Sequence, residues 1–179
     1  MERSMGPAAS RILGIDPGSR VTGWGVVDAR GSTVRYVASG CIRTQGEDIA
    51  VRLREIFAGV GDIVAQHQPA ELAIERVFVH RNADSALKLG QARAAAICAS
   101  FGRQLTVHEY AARAVKLAIV GQGGAEKPQV AHMVRALLQL TAPLVADEAD
   151  ALAVALCHAH TRPLGTRLAA SARLRVVRR

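Results

Sequence analysis

RILGIDPGSRVTGWGVVD, residues 11–28, is the stretch on which the reading of the fold turns. RILGID (11–16) is a short apolar run suited to a buried strand. PGSR (17–20) supplies turn residues, and VTGWGVVD (21–28) returns as a second strand. Arg30-Gly31-Ser32 forms a hairpin turn into a third strand, TVRYVASGCI (33–42). Three strands joined by short turns make an antiparallel meander.

The period then changes. Between Glu47 and His67 the apolar positions Ile49, Leu53, Ile56, Phe57, Val60, Ile63 and Val64 follow helical spacing with one buried face, and Pro69 ends the run. ELAIERV (71–77) returns to a strand. A crossover helix between this strand and the meander makes it parallel to the first strand, within a mixed sheet. A helix over 83–101, capped by Asn82 or Asp84, is rich in Ala, Gly and Ser and suits close packing against the sheet or against a second copy. QLTVHEY (104–110) is a fifth strand. Helices follow near 111–118 and from Pro128 to about Leu140, with the loop VGQGGAEKP (120–128) between them. The last helix, 147–160, is apolar nearly all round and is expected to be buried.

Composition bounds the function. With 179 residues, half of them hydrophobic, the chain suits one domain with a substantial core. No apolar run approaches the roughly 20 residues of a membrane span, and residues 1–10 lack the apolar core of a signal peptide. They are expected to be a flexible leader, and the address cytoplasmic. Cys41, Cys98 and Cys157 form no paired motif and are expected to be buried free thiols. The net charge of +8 suits a polyanionic partner. No acid follows Asp150, whereas Arg162, Arg167, Arg173, Arg175, Arg178 and Arg179 do. Residues 161–179 are expected to be a mobile basic tail, either touching phosphates or merely solubilising, after a domain spanning 11–160.

Against this basic background, four acids stand out. Asp16 ends an otherwise apolar strand, where a carboxylate is costly unless paired or metal-bound. Glu75 repeats the anomaly inside LAIERV, on the strand placed parallel to the first. Asp147 and Asp150, three apart at the start of a buried helix, share one face. Helix capping is a sufficient explanation of Asp147 taken alone. Four acids at element ends that the topology brings together would repel one another unless protonated or bridged by cations. Hard oxygen ligands suit Mg²⁺ or Mn²⁺, and two such ions about 4 Å apart serve phosphodiester hydrolysis. Asp28 and Glu109, at strand ends, are expected to be exposed. Zinc is disfavoured, since the six histidines form no Cys/His ligand set and His158 and His160 lie on different faces of their helix. No nucleophile elbow is present.

GIDPGSRVTGWGVV resembles the opening strand pair of RuvC-type Holliday junction resolvases. The resemblance continues through SGCIRT (39–44), AIERVF (73–78), NADSALKLGQAR (82–93), EYAARAVK (109–116), GQGGAEK (121–127) and DEADALAVA (147–155), from Arg11 to about His160. It implies a ribonuclease H-like α/β fold with a five-stranded mixed sheet flanked by helices. It implies that Asp16, Glu75, Asp147 and Asp150 are the catalytic, metal-holding set. By the same resemblance, Lys116 and Lys127 are basic positions at the cleft. Phe78 and Arg81 could reach the open centre of a junction, although core packing would also explain Phe78. The resemblance further implies a homodimer that nicks two opposing strands of four-way junction DNA symmetrically. It would use Mg²⁺ or Mn²⁺, leave 5′-phosphate and 3′-hydroxyl ends, and work beside the RuvA–RuvB branch-migration complex. Actin-like kinases share a GID-type opening strand but need two related domains, for which the chain is too short. The YqgF-type nucleases share parts of the pattern, but NADSALKLGQAR and the terminal acidic pair favour the resolvase.

Overall fold

The computed structural model describes residues 9–77 and 83–176, with 163–176 as backbone alone. Five strands, β1 (Ser10–Asp16), β2 (Val21–Arg30), β3 (Thr33–Arg43), β4 (Glu71–Glu75) and β5 (Thr106–Tyr110), form one sheet in the order β3-β2-β1-β4-β5. The meander β1–β3 is antiparallel, and β4 and β5 run parallel to β1, as the crossover after β3 requires.

That crossover is α1 (Ile49–His67). Asp48 caps it by accepting a hydrogen bond from the Ala50 amide, and Gln68 ends it in the left-handed region just before Pro69. Phe57, predicted on its buried face, is half exposed. Helix α2 (Ala83–Ala99) packs on α1, and a 3₁₀ turn at Phe101–Arg103 replaces the last turn predicted for it. Helices α3 (Ala112–Val120), α4 (Lys127–Leu137) and α5 (Ala146–Val176) complete the chain.

The alternation of strand residues divides the core into two layers. Leu13, Ile15, Val26, Leu72 and Ile74 face α1 and α2. Ile12, Val27, Ala29 and Ala73 face α3, α4 and α5. Each fully buried Leu, Ile or Val contributes about 1.5–3 kcal/mol. The apolar first half of α5 lies across β1 and β2, buried from Ala151 to Ala159, as its sequence predicts.

Helix α5 also runs well past the predicted end at residue 160. Pro163 and Gly165 look like a stop, but the Leu, Ala and Arg residues beyond them are strong helix formers and the backbone stays helical to Val176. The thiols divide too: Cys157 is buried, Cys41 is partly covered and Cys98 is exposed. Among the described residues, no helix is long and apolar enough to cross a membrane.

Candidate metal centre

Asp16 is the last residue of β1, beside Gly23 of β2. Ile15 pairs with Ile74 in the parallel register, so Glu75, the next residue of β4, ends beside Asp16. Both project toward α5, because Ile12, Gly14 and Asp16 share one face of β1, and Glu71, Ala73 and Glu75 share that face of β4. Helix α5 carries Asp147 and Glu148 in its first turn and Asp150 one turn further.

Three glycines set how closely that helix approaches. A Cβ at Gly23 would stand 2.0 Å from the Asp147 carbonyl oxygen, and one at Gly14 would stand 2.2 Å from that of Ala151. A Cβ at Gly25 would meet Leu152 at 2.6 Å. Gly14 and Gly25 are cross-strand partners, so the sheet has a bare patch on which α5 rests. The absence of these side chains lowers Asp147 and Asp150 onto the strand ends that carry Asp16 and Glu75.

The electrostatics show the convergence. The Asp16 carboxyl is pushed up to about 7, first by burial and then by the charges of Asp150, Glu75 and Asp147, with Lys127 opposing. Glu75 is also raised, by burial and by Asp150, against the pull of Lys127 and Lys116. Lys127, at the start of α4, places its Nζ 2.6 Å from Asp150 Oδ2. That position is secured by a capping box between Glu126 and Gln129, with Pro128 in the first turn. The Lys127 side chain is 73% exposed, so the pair adds little stability. Its effect is to offset part of the negative charge. Half-buried, mutually repelling carboxylates with this little compensation fit hard divalent cations, whose charge would remove the repulsion.

The two other acids weighed in the sequence have structural partners. Asp28 is held by a two-point fork from Arg11, at 2.8 and 2.9 Å, and its carboxyl is lowered by that hydrogen bond. Glu109 pairs with Arg93 at 2.6 Å and Arg76 at 3.5 Å. Arg93 also donates to the Glu75 carbonyl at 3.1 Å, bracing the strand end from α2. Sequence reading missed Arg93, because a mid-helix arginine carries no local signal. Phe78 and Arg81 lie outside the described residues.

A second polar cluster stands elsewhere on the same face. Glu71, His108 and His158 each offer a ligand atom within 4.8 Å of the others. No cysteine joins this group, so it lies outside the Cys/His sets weighed in the sequence, yet the fold gathers two histidines about one carboxylate. His158 comes from α5 and His108 from β5, so only the fold unites them. His158 is lowered from its ordinary pKa, burial outweighing the pull of Glu71.

The chain matches the family model described as crossover junction endodeoxyribonuclease RuvC over residues 12–158. It is 57% identical over 170 residues to the crossover junction endodeoxyribonuclease RuvC of Methylococcus capsulatus, covering 95% of this chain and 99% of the relative. The structure of Thermus thermophilus RuvC in complex with a Holliday junction substrate is similar, with a TM-score of 0.81 and 35% identity over 88% of this chain and 97% of that one. The yeast mitochondrial Holliday junction resolvase Ydc2 shares the fold at a TM-score of 0.62 and 11% identity, over 88% of this chain and 80% of that one.

Proposed function

Because the chain belongs to the family of crossover junction endodeoxyribonuclease RuvC, we propose that its converging carboxylates are the metal-dependent cutting site of a Holliday junction resolvase. The observation that carries this is Asp16, held near neutral pKa by burial and by three neighbouring acids. Asp16, Glu75, Asp147 and Asp150 would hold Mg²⁺, with Mn²⁺ as a substitute. Such ions supply an activated water and a stabilised leaving oxygen.

The protein's own groups do the rest. Glu75, already raised by burial and by Asp150, accepts the proton of the attacking water. Attack on phosphorus breaks its bond to the 3′ oxygen and leaves a 5′-phosphate and a 3′-hydroxyl. Lys116 and Lys127, whose charges both reach Glu75, contact the scissile phosphate and offset the charge developing on it. Phe78 and Arg81, closely following Glu75 in the chain, engage the unpaired centre of the junction.

The unit of action is a homodimer in the cytoplasm, working with the RuvA–RuvB complex. Helix α2 supports the dimer: Ala92 and Ala96 are buried on one side, while Ala83, Leu87, Gly90 and Ala94 line a shallow apolar groove on the other, with Leu87 63% exposed. A second copy of α2 would cover that groove.

The test is a mobile synthetic four-way junction incubated with Mg²⁺. The wild-type chain should give paired symmetric nicks, and chelation should stop them. Asp16→Asn should bind the junction and leave it uncut. Equal cutting by both proteins would overturn the carboxylate mechanism.

A further inference from the structure

Glu71 and Glu75 project from the same face of β4 at its two ends, four residues and about 13 Å apart. Glu75 joins the acidic cluster. Glu71 meets a different set of partners. Its Oε1 accepts hydrogen bonds from Ser10 Oγ at 2.5 Å and Arg162 Nη1 at 2.7 Å. Its Oε2 faces two imidazoles, His158 Nε2 at 2.7 Å and His108 Nε2 at 3.6 Å. His158 is eight residues beyond Asp150, about 12 Å along α5, so this group is independent of the acidic centre.

We propose that Glu71, His108 and His158 form a second metal site, for a nitrogen-preferring dication of the Zn²⁺ type, that fastens β4 and β5 to α5. The donor set is two imidazoles and one carboxylate, a three-ligand arrangement that leaves a position for water. Imidazole selects Zn²⁺, Co²⁺ or Ni²⁺ over Mg²⁺, opposite to the preference of four carboxylates. The geometry is close to what such an ion needs. Ligand atoms bound at 2.0–2.1 Å in a tetrahedron stand about 3.4 Å apart. His108 Nε2, at 3.6 Å from Oε2, is too far for a hydrogen bond but near that separation. Its ring lies against that of His158, with centroids 4.1 Å apart and planes 28° apart, and it is 35% exposed, so it has room to turn. The His158–Glu71 contact, at 2.7 Å, must open by about 0.7 Å to reach that separation.

The surrounding hydrogen bonds suit a bound state as well. Tyr110 Oη lies 2.7 Å from His158 Nδ1 and 3.2 Å from Thr161 Oγ1, and Thr161 donates to the Cys157 carbonyl. With Nε2 on a metal, His158 Nδ1–H would donate to Tyr110, whose own proton would turn to Thr161. Metal-binding histidines are oriented by partners of this kind on the other ring nitrogen. Ser10 and Arg162 fix the carboxylate through Oε1 and leave Oε2 toward the histidines.

The test uses the full chain without Mg²⁺ and titrates Zn²⁺ and Co²⁺ alone. Asp16→Asn should still take one Zn²⁺ per chain, and its Co²⁺ adduct should show the visible bands of nitrogen ligation. His108→Gln, on the part-exposed edge strand, should fold normally by circular dichroism. It should lose those bands and bind Zn²⁺ at least tenfold more weakly. Zn²⁺ at one hundred times its Kd should raise the wild-type Tm by about 5–10 °C, and much less in His108→Gln. Glu71→Gln should follow His108→Gln. Unchanged Zn²⁺ stoichiometry and affinity in His108→Gln, or loss of the Zn²⁺ in Asp16→Asn, would overturn the site. Because none of these readouts uses cleavage, the result is independent of the nuclease reading.

Discussion

At the scale of single residues, the acidic centre opposes folding when no metal is present. Asp16 ionises at about 3.9 in an unfolded chain and near 7 in the folded one. A raised carboxylate contributes its full stability below the unfolded pKa and loses it as pH rises toward the folded value, at about 1.4 kcal/mol per unit. Glu75 is shifted in the same direction. In EDTA, Asp16→Asn should therefore be more stable than wild type at pH 7.5 by a few kcal/mol, and by much less at pH 4.5. Urea midpoints at the two values measure this, and Mg²⁺ should narrow the gap at pH 7.5 by stabilising wild type. A pH-independent difference would show that Asp16 is not destabilised in the free protein. Lys116 tests the same charge balance from the opposite side, since it lowers the pKa of Glu75. Lys116→Ala should reduce single-turnover cleavage by about 10²-fold, the order seen when a transition-state donor is removed. Junction binding should fall less than about tenfold, because phosphate contacts are many and shared. A collapse of binding would make Lys116 chiefly an anchor.

At the scale of elements, the decisive contact is α5 against the glycine patch of β1 and β2. A methyl at Gly14 would overlap the Ala151 carbonyl, and backbone cannot yield as a side-chain end can. Gly14→Ala should cost about 1–3 kcal/mol and displace Asp147 and Asp150, so cleavage should fall more than stability alone explains. Gly61→Ala, inside α1 where a Cβ meets nothing within 4 Å, should instead stabilise by about 0.5–1 kcal/mol with cleavage unchanged. Chemical denaturation and cleavage rates measured together separate the two cases. This contact also marks how far the sequence could be read. The element order was legible because the strands are short apolar runs and α1 keeps a helical period. The acids were legible because each breaks an apolar pattern at an element end. The glycines carried no such signal: Gly14, Gly23 and Gly25 look like ordinary strand glycines until the helix above them is placed. Glu71 was overlooked because an acid at the first position of a strand is unremarkable, and His158 was set aside because its partners come from β4 and β5 rather than from its own helix. The continuation of α5 past Pro163 was hidden by punctuation that usually ends a helix.

At the scale of the whole molecule, the proposed acidic centre would make one nick, whereas resolving a four-way junction takes two. A net charge of +8 brings the chain to DNA of any shape, and its contribution weakens with salt. Pairing of cuts needs a second centre held at a fixed distance, and the two-fold dimer proposed through α2 would supply one. Leu87→Glu, which puts a charge in the α2 groove, should shift the chain toward monomer in sedimentation. It should abolish paired nicks at protein concentrations where wild type is dimeric. A mixed dimer isolates the logic further. If wild-type and Asp16→Asn chains carrying different tags are refolded together in equal amounts, roughly half of the dimers should contain one of each. Purified through both tags, that species should keep the junction affinity of wild type, because the basic surfaces are intact in both subunits. It should nick one strand and accumulate a singly nicked junction, since the second strand faces a centre that lacks the Asp16 carboxylate. Paired cutting by the mixed dimer during a single binding event would mean that one centre serves both strands, and the two-centre arrangement would have to be abandoned.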